Sequence, residues 1–178
     1  MEFWIQASAP QCATSFSATD RSLSDAIETV FLLETEYAFI VLKHHFIPLG
    51  YKYGFSCMIG DLIDLITAVQ VDDAGKMMIE WPCNSFHAKW SVFWTMEDVQ
   101  IDSQWISVPG GLTELLNQAG PIALKKSAFL AEWRMPLNRI LAALIASGYN
   151  QTNFKELSIL ERLVSALPKR GYLYRERE

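Results

Sequence analysis

The sequence predicts an α+β fold in which an antiparallel sheet packs against amphipathic helices, and three observations predict it. Four of the six tryptophans (Trp81, Trp90, Trp94 and Trp105) fall within residues 76–108, on three successive runs of alternating character. In the middle run Trp90, Val92, Trp94 and Met96 share one side of a period-two pattern. Lys89, Ser91 and Thr95 take the other side, interrupted by Phe93, so one face of this meander is built for burial. Around it, apolar residues recur at helical spacing over about 56–70, 127–147 and 153–167. Composition agrees: 51% hydrophobic, 12% aromatic and only 20% charged residues lie far from the make-up of disordered chains. A chain of 178 residues buries roughly 70% of its unfolded surface. A single domain over 1–178 is expected, with 1–20 as its loosest segment.

The elements follow in order. Residues 2–7 suit a short strand, and 8–19 are a Ser/Thr/Ala-rich connection without periodicity, the expected flexible piece. Ser22 with Asp25 three residues on is a capping pattern, and Leu23, Ile27, Val30 and Phe31 keep helical phase, predicting a helix over about 23–33. Residues 37–42 are short and rich in β-branched and aromatic side chains, which favours a buried strand closed by Pro48 and Gly50. Tyr51, Tyr53 and Phe55 read as an extended lead into a helix capped by Ser56, in which Met58, Leu62, Leu65, Ile66 and Val69 form the apolar stripe. Asp72, Asp73 and Gly75 supply a turn into the meander, with strands over 77–81, 88–96 and 99–108. Pro109, Gly110 and Gly111 end it; a short helix over 112–117 closes at Gly120. Residues 122–124 suit one more short strand. Ser127 is the expected cap of a long helix carrying Phe129, Trp133, Leu137, Ile140 and Leu144, in which Pro136 marks either a bend or the true start. Asn153 and Glu156 cap a last helix that Pro168 and Gly171 stop, and Tyr172 and Tyr174 suit an edge strand or a frayed tail.

Fifteen basic against twenty acidic residues give a formal charge of −5, which repels nucleic-acid phosphates and favours a basic protein partner. Three widely spaced cysteines, Cys12, Cys57 and Cys83, form no C-x-x-C pair, so neither a disulfide framework nor a zinc site is indicated and a reducing compartment fits. The opening Met-Glu-Phe-Trp-Ile lacks a basic leader with a long apolar run, and apolar stretches are interrupted by Asp61, Asp64, Arg134 or Arg139 before they reach membrane-spanning length. A cytoplasmic protein with no membrane segment is expected.

Candidate chemistry is sparse. His44 and His45 are neighbours and would point to opposite sides of a strand, the wrong geometry for one metal, and His87 has no partner at ligand spacing. No metal or cofactor site is expected. No local signature surrounds any cysteine, and buried small-hydrophobe cysteines are the commoner case. Asp61 and Asp64 lie at i, i+3 on the polar side of a helix, and Asp72 and Asp73 follow in the turn. Paired carboxylates do acid/base work or hold cations, but more often they form a solvated face or a negative patch for a basic partner. Trp90 and Trp94 are expected in the core, whereas Trp105, near the end of its strand, is expected to be partly exposed and so a candidate interface anchor.

Several stretches together carry a family likeness: Tyr51-Lys52-Tyr53 leading into a helix with Asp61 and Asp64; Ile79-Glu80-Trp81-Pro82, then Trp90-Ser91-Val92-Phe93-Trp94; the run from Ile101 to Trp105; and Phe129-Leu130-Ala131-Glu132-Trp133 before an amphipathic helix. Across roughly residues 26–174 the chain resembles the small immunity proteins that bacteria encode beside polymorphic or contact-dependent growth inhibition toxins, each of which binds and neutralises one cognate toxin. The resemblance implies a non-catalytic, cytoplasmic, acidic α+β protein acting by stoichiometric occlusion of a basic toxin, with a nuclease toxin fitting the charge. Asp61, Asp64, Asp72, Asp73, Glu97, Asp98 and Asp102 are then the expected steering acids, with Trp105 or Tyr53 as an aromatic anchor. The alternative is a small-ligand-binding or enzymatic α+β domain with an aromatic-lined pocket near Cys57, Cys83 or the histidines, which predicts a concave cavity and a strongly shifted titratable group.

Overall fold

A computed structural model describes residues 2–170; the tail reading at Tyr172 and Tyr174 lies outside the described residues. The architecture is α+β, with two antiparallel sheets where the sequence suggested one. The first, in the order β1 (Phe3–Gln6), β2 (Tyr37–Leu42), β3 (His45–Gly50), is followed by helix α2 (Ser56–Val71). The second contains the expected meander, β4 (Gly75–Pro82), β5 (His87–Trp94) and β6 (Asp98–Ser107), extended by β7 (Ile122–Lys125) on the far side of β6. Helices α1 (Leu23–Val30), α3 (Thr113–Gln118), α4 (Lys126–Ala146) and α5 (Leu157–Ala166) complete the chain.

Strand β3 went unseen because its turn carries no glycine. Lys43 and His44 adopt φ of 44° and 74°, the left-handed pair that a two-residue hairpin requires, so His44 sits in the turn and only His45 in a strand. Pro48 lies inside β3 and does not end it; β3 is an edge strand, where a missing N–H is tolerated. Residues Tyr51–Phe55 are not extended but form a π-helical turn that runs directly into α2. Ser56 is consequently no cap: its hydroxyl donates to Glu28 Oε1 at 2.9 Å. From Tyr51 to Val71 this rod is long and apolar enough to cross a membrane by composition, with mean hydropathy 1.4, and half of it is buried in the protein core.

The capping box at α1 is present as read: Asp25 N–H donates to Ser22 Oγ at 3.1 Å and Ser22 N–H to Asp25 Oδ2 at 3.0 Å. Helix α4 runs unbroken through buried Pro136. Its start is not capped by Ser127; Lys126 N–H donates to the Glu97 carbonyl at 2.7 Å. Helix α5 begins at Leu157, four residues after Asn153 (157 − 153 = 4), because Asn153 is spent on the preceding turn, accepting from Asn150 N–H at 2.8 Å.

One hydrophobic core joins both sheets. Phe3 on β1 meets Trp90 on β5 at 6.4 Å and Phe129 on α4 at 5.8 Å between ring centroids, and Trp90 in turn meets Trp81 at 4.8 Å. The outer edge of β1 is closed by side chains: Ile5 N–H donates to buried Glu132 Oε2 at 2.8 Å, while Arg170 donates to both the Ile5 carbonyl and Glu132. The segment expected to be flexible is tied down. Ala13 N–H donates to the Val30 carbonyl at 2.8 Å, the Ser147 hydroxyl donates to the Ala13 carbonyl, and Phe16 packs on Tyr149 at 4.9 Å.

Candidate functional site

Of the nine residues expected to meet a partner, Trp105 is the clear correction. It is 2% exposed, packed at steep ring angles between Phe86 and Trp90, and its backbone N–H and C=O are paired with the Asn117 side-chain amide, both at 2.8 Å. Beyond the short β7, this amide takes the place a further strand residue would hold. An end-of-strand tryptophan is thereby held inside and does not itself offer a surface anchor.

The acids divide into three places. Asp61 and Asp64 are exposed on the outward stripe of α2, and neither has an ion-pair partner among the described residues. Asp72, Asp73, Glu97 and Asp98 gather at one end of the four-stranded sheet. There Lys126 Nζ reaches the Asp72 carbonyl at 2.9 Å and Lys125 bridges Glu97 at 3.1 Å and Asp98 at 3.0 Å. Those two carboxylates hold the Lys125 ammonium above its usual range, Asp98 first. Glu97 and Asp98 are therefore partly neutralised, and an exposed arrangement of this kind contributes little to stability. Asp102 stands apart on the open sheet face, opposite Ser91.

Asp72 is the C-cap of α2, with Asp73 next to it, and the last turn holds no basic residue. Carboxylates at a helix C-terminus oppose its dipole.

Tyr53 stands in the π turn beside an acidic surface that carries no sequence motif. Desolvation, then Glu34 and Glu28, push its phenol above the ordinary tyrosine value. A hollow of about 510 Å3 runs past Tyr53 and Lys52 to Asp20, Asp25 and Glu28. A cleft of about 200 Å3 brings Glu34 and Tyr37 to Tyr53, Asn84 and Ser85. A third hollow, about 370 Å3, continues onto Asp64 and Glu156 between α1, α2 and α5. Among the described residues Lys52 is the one basic side chain lining the three. The signal was available in the sequence as a charge window: residues 20–36 hold Asp20, Asp25, Glu28, Glu34 and Glu36 against Arg21 alone.

Trp81, Trp90 and Trp133 are fully packed in the core. Burial and neighbouring Cys57 push the Cys83 thiol far up, which withholds the thiolate a nucleophile needs. His87 Nε2 lies 2.8 Å from Glu80 Oε1 on the adjacent strand, and His87 and Lys89 hold that carboxyl below its usual range. Among the described residues no group of three His, Cys, Asp or Glu side chains could hold a metal ion.

The fold and surface define a two-sheet α+β protein with an acidic, shallowly hollowed face over α1, the π turn and α2. No protein-family model, curated protein or solved structure matches the chain.

Proposed function

We propose that this protein is a bacterial immunity protein, which neutralises a cognate basic toxin domain in the cytoplasm by stoichiometric occlusion, without bond chemistry of its own. The observation that carries the reading is the face over α1, the π turn and α2, where carboxylates that form no salt bridge among the described residues surround shallow hollows relieved by Lys52 alone. Such a surface steers a basic partner into encounter and rejects acidic ones. Tyr53, half-buried at its centre, is the aromatic anchor of the proposed contact. A nuclease domain, whose own active surface must be basic to hold phosphates, is the partner class this charge fits best.

The test is co-expression with the C-terminal domain of the large secreted protein expected from the neighbouring gene. Growth should be restored, and the two chains should co-elute at a one-to-one ratio, with association slowed by salt. Undiminished toxin activity in the presence of excess protein overturns the proposal.

A further inference from the structure

Helices α2 and α5 flank an open slot. Its lining on α2 is Ile59, Gly60, Ile63, Thr67 and Gln70, a single helical stripe, and on α5 it is Ile159, Arg162, Leu163 and Ala166. Two adjoining hollows, about 370 and 310 Å3, meet at Ile159, which is 41% exposed. Along α2 the slot extends about 17 Å, three turns of helix.

Gly60 is the telling residue. Glycine weakens a helix interior, yet a β-carbon built here meets nothing within 4 Å. No packing within the chain requires a glycine at this position. What glycine does allow is close approach of another backbone. The charges along the slot are also ordered: Asp64 and Glu156 lie at the end near Ser22 and Ser56, and Arg162 at the other.

We infer that the slot between α2 and α5 receives an amphipathic helix of the partner protein, crossing closely at Gly60, with basic residues at the end facing Asp64 and Glu156 and a neutral or acidic end facing Arg162. Helix-in-groove recognition uses a groove with apolar anchors at i, i+4 and i+7; here the accessible apolar lining is Ile63, Ile159 and Ala166, with Thr67, Gln70 and Arg162 polar. The identification of that partner as the toxin rests on the function proposed above; the slot's chemistry does not.

The probe is a synthetic helical peptide of about 15 residues, four turns, with isoleucines at i, i+4, i+7 and i+11, lysines at one end and glutamates at the other. Its twin carries glutamates at both ends. With methyl-labelled protein, the first peptide should shift the methyl resonances of Ile59, Ile63 and Ile159, and the twin should bind on the order of tenfold more weakly. Gly60→Leu should remain folded, with an unchanged or higher Tm, and abolish those shifts; Asp64→Lys should weaken binding without filling the slot. Absence of shifts, shifts confined to another face, or equal binding of twin and probe overturns the inference. In parallel, Gly60→Leu should lose neutralisation of the toxin domain. If the peptide occupies the slot but the wild-type protein leaves the toxin active, the immunity reading falls and the slot stands. Full neutralisation by Gly60→Leu removes the slot from the toxin interface.

Discussion

A β-carbon built on Gly75 would lie 2.3 Å from Cζ2 of Trp94, its cross-strand neighbour, and the indole is itself buried. Gly75→Ala therefore forces the ring or the strand to move, and we expect a loss of roughly 1–3 kcal/mol, measured as a lower urea midpoint at unchanged m-value. Tyr149 carries a second residue-level consequence. Burial and the hydrogen bond it donates to Asp20 push its phenol up to about 12, above the ordinary value of about 10. The folded state thus holds this proton more tightly than the unfolded chain, and the contribution is lost as pH rises from about 10 to about 12. Tyr149→Phe should be less stable than wild type by roughly 1 kcal/mol near neutral pH, and the gap should close as pH climbs through that window. A gap independent of pH contradicts the assignment. Among the thiols, exposed Cys57 should react with an alkylating reagent at once and buried Cys83 only on unfolding, which mass spectrometry of partly labelled protein distinguishes.

Among the elements, β6 and β1 each depend on side chains acting as backbone. Asn117→Ala leaves the N–H and C=O of buried Trp105 without partners, with an expected cost of roughly 1–3 kcal/mol, whereas the exposed neighbour Gln118→Ala should stay within about 0.5 kcal/mol. These devices explain what the sequence did and did not reveal. The capping box at Ser22 and Asp25, the alternation through Trp90, Val92 and Trp94, and the stripe of α2 depend on neighbours a few positions away, so they were legible. The turn at Lys43 and His44, the π turn at Tyr51–Phe55 and the start of α4 were not. Each is fixed by contacts with distant chain, such as Tyr51 N–H on the Glu36 carbonyl or Lys126 N–H on that of Glu97. Trp105 failed for the same reason: its position near a strand end is local, but its cover comes from Phe86 and Asn117. Of the residues named from the sequence, Asp64 and Tyr53 line the hollows of the candidate site, while Asp61 lies on the exposed face of α2 nearby. Glu28 and Glu34 were legible only as members of the acidic window over 20–36, and Glu156 not at all, since only the fold brings them beside that rod.

For the whole molecule, charge and stability pull apart. Replacing Asp72 and Asp73 by asparagine removes two charges that oppose the α2 dipole, and should raise stability by roughly 0.3–1 kcal/mol per residue. If the acids serve a basic partner, the same variant should associate more slowly and with a flatter dependence on salt. Stopped-flow association against ionic strength, alongside thermal unfolding, reads both quantities; a gain in stability with an unchanged association rate would leave these two acids outside the interface.

The closure of β1 by Glu132 and Arg170 ties that strand to residues far along the chain. Arg170 meets a carbonyl 165 positions earlier in the chain, so the flank of β1 is covered only once segments far apart in sequence have come together. A variant that loses this contact leaves part of the β1 flank open to pairing with another strand.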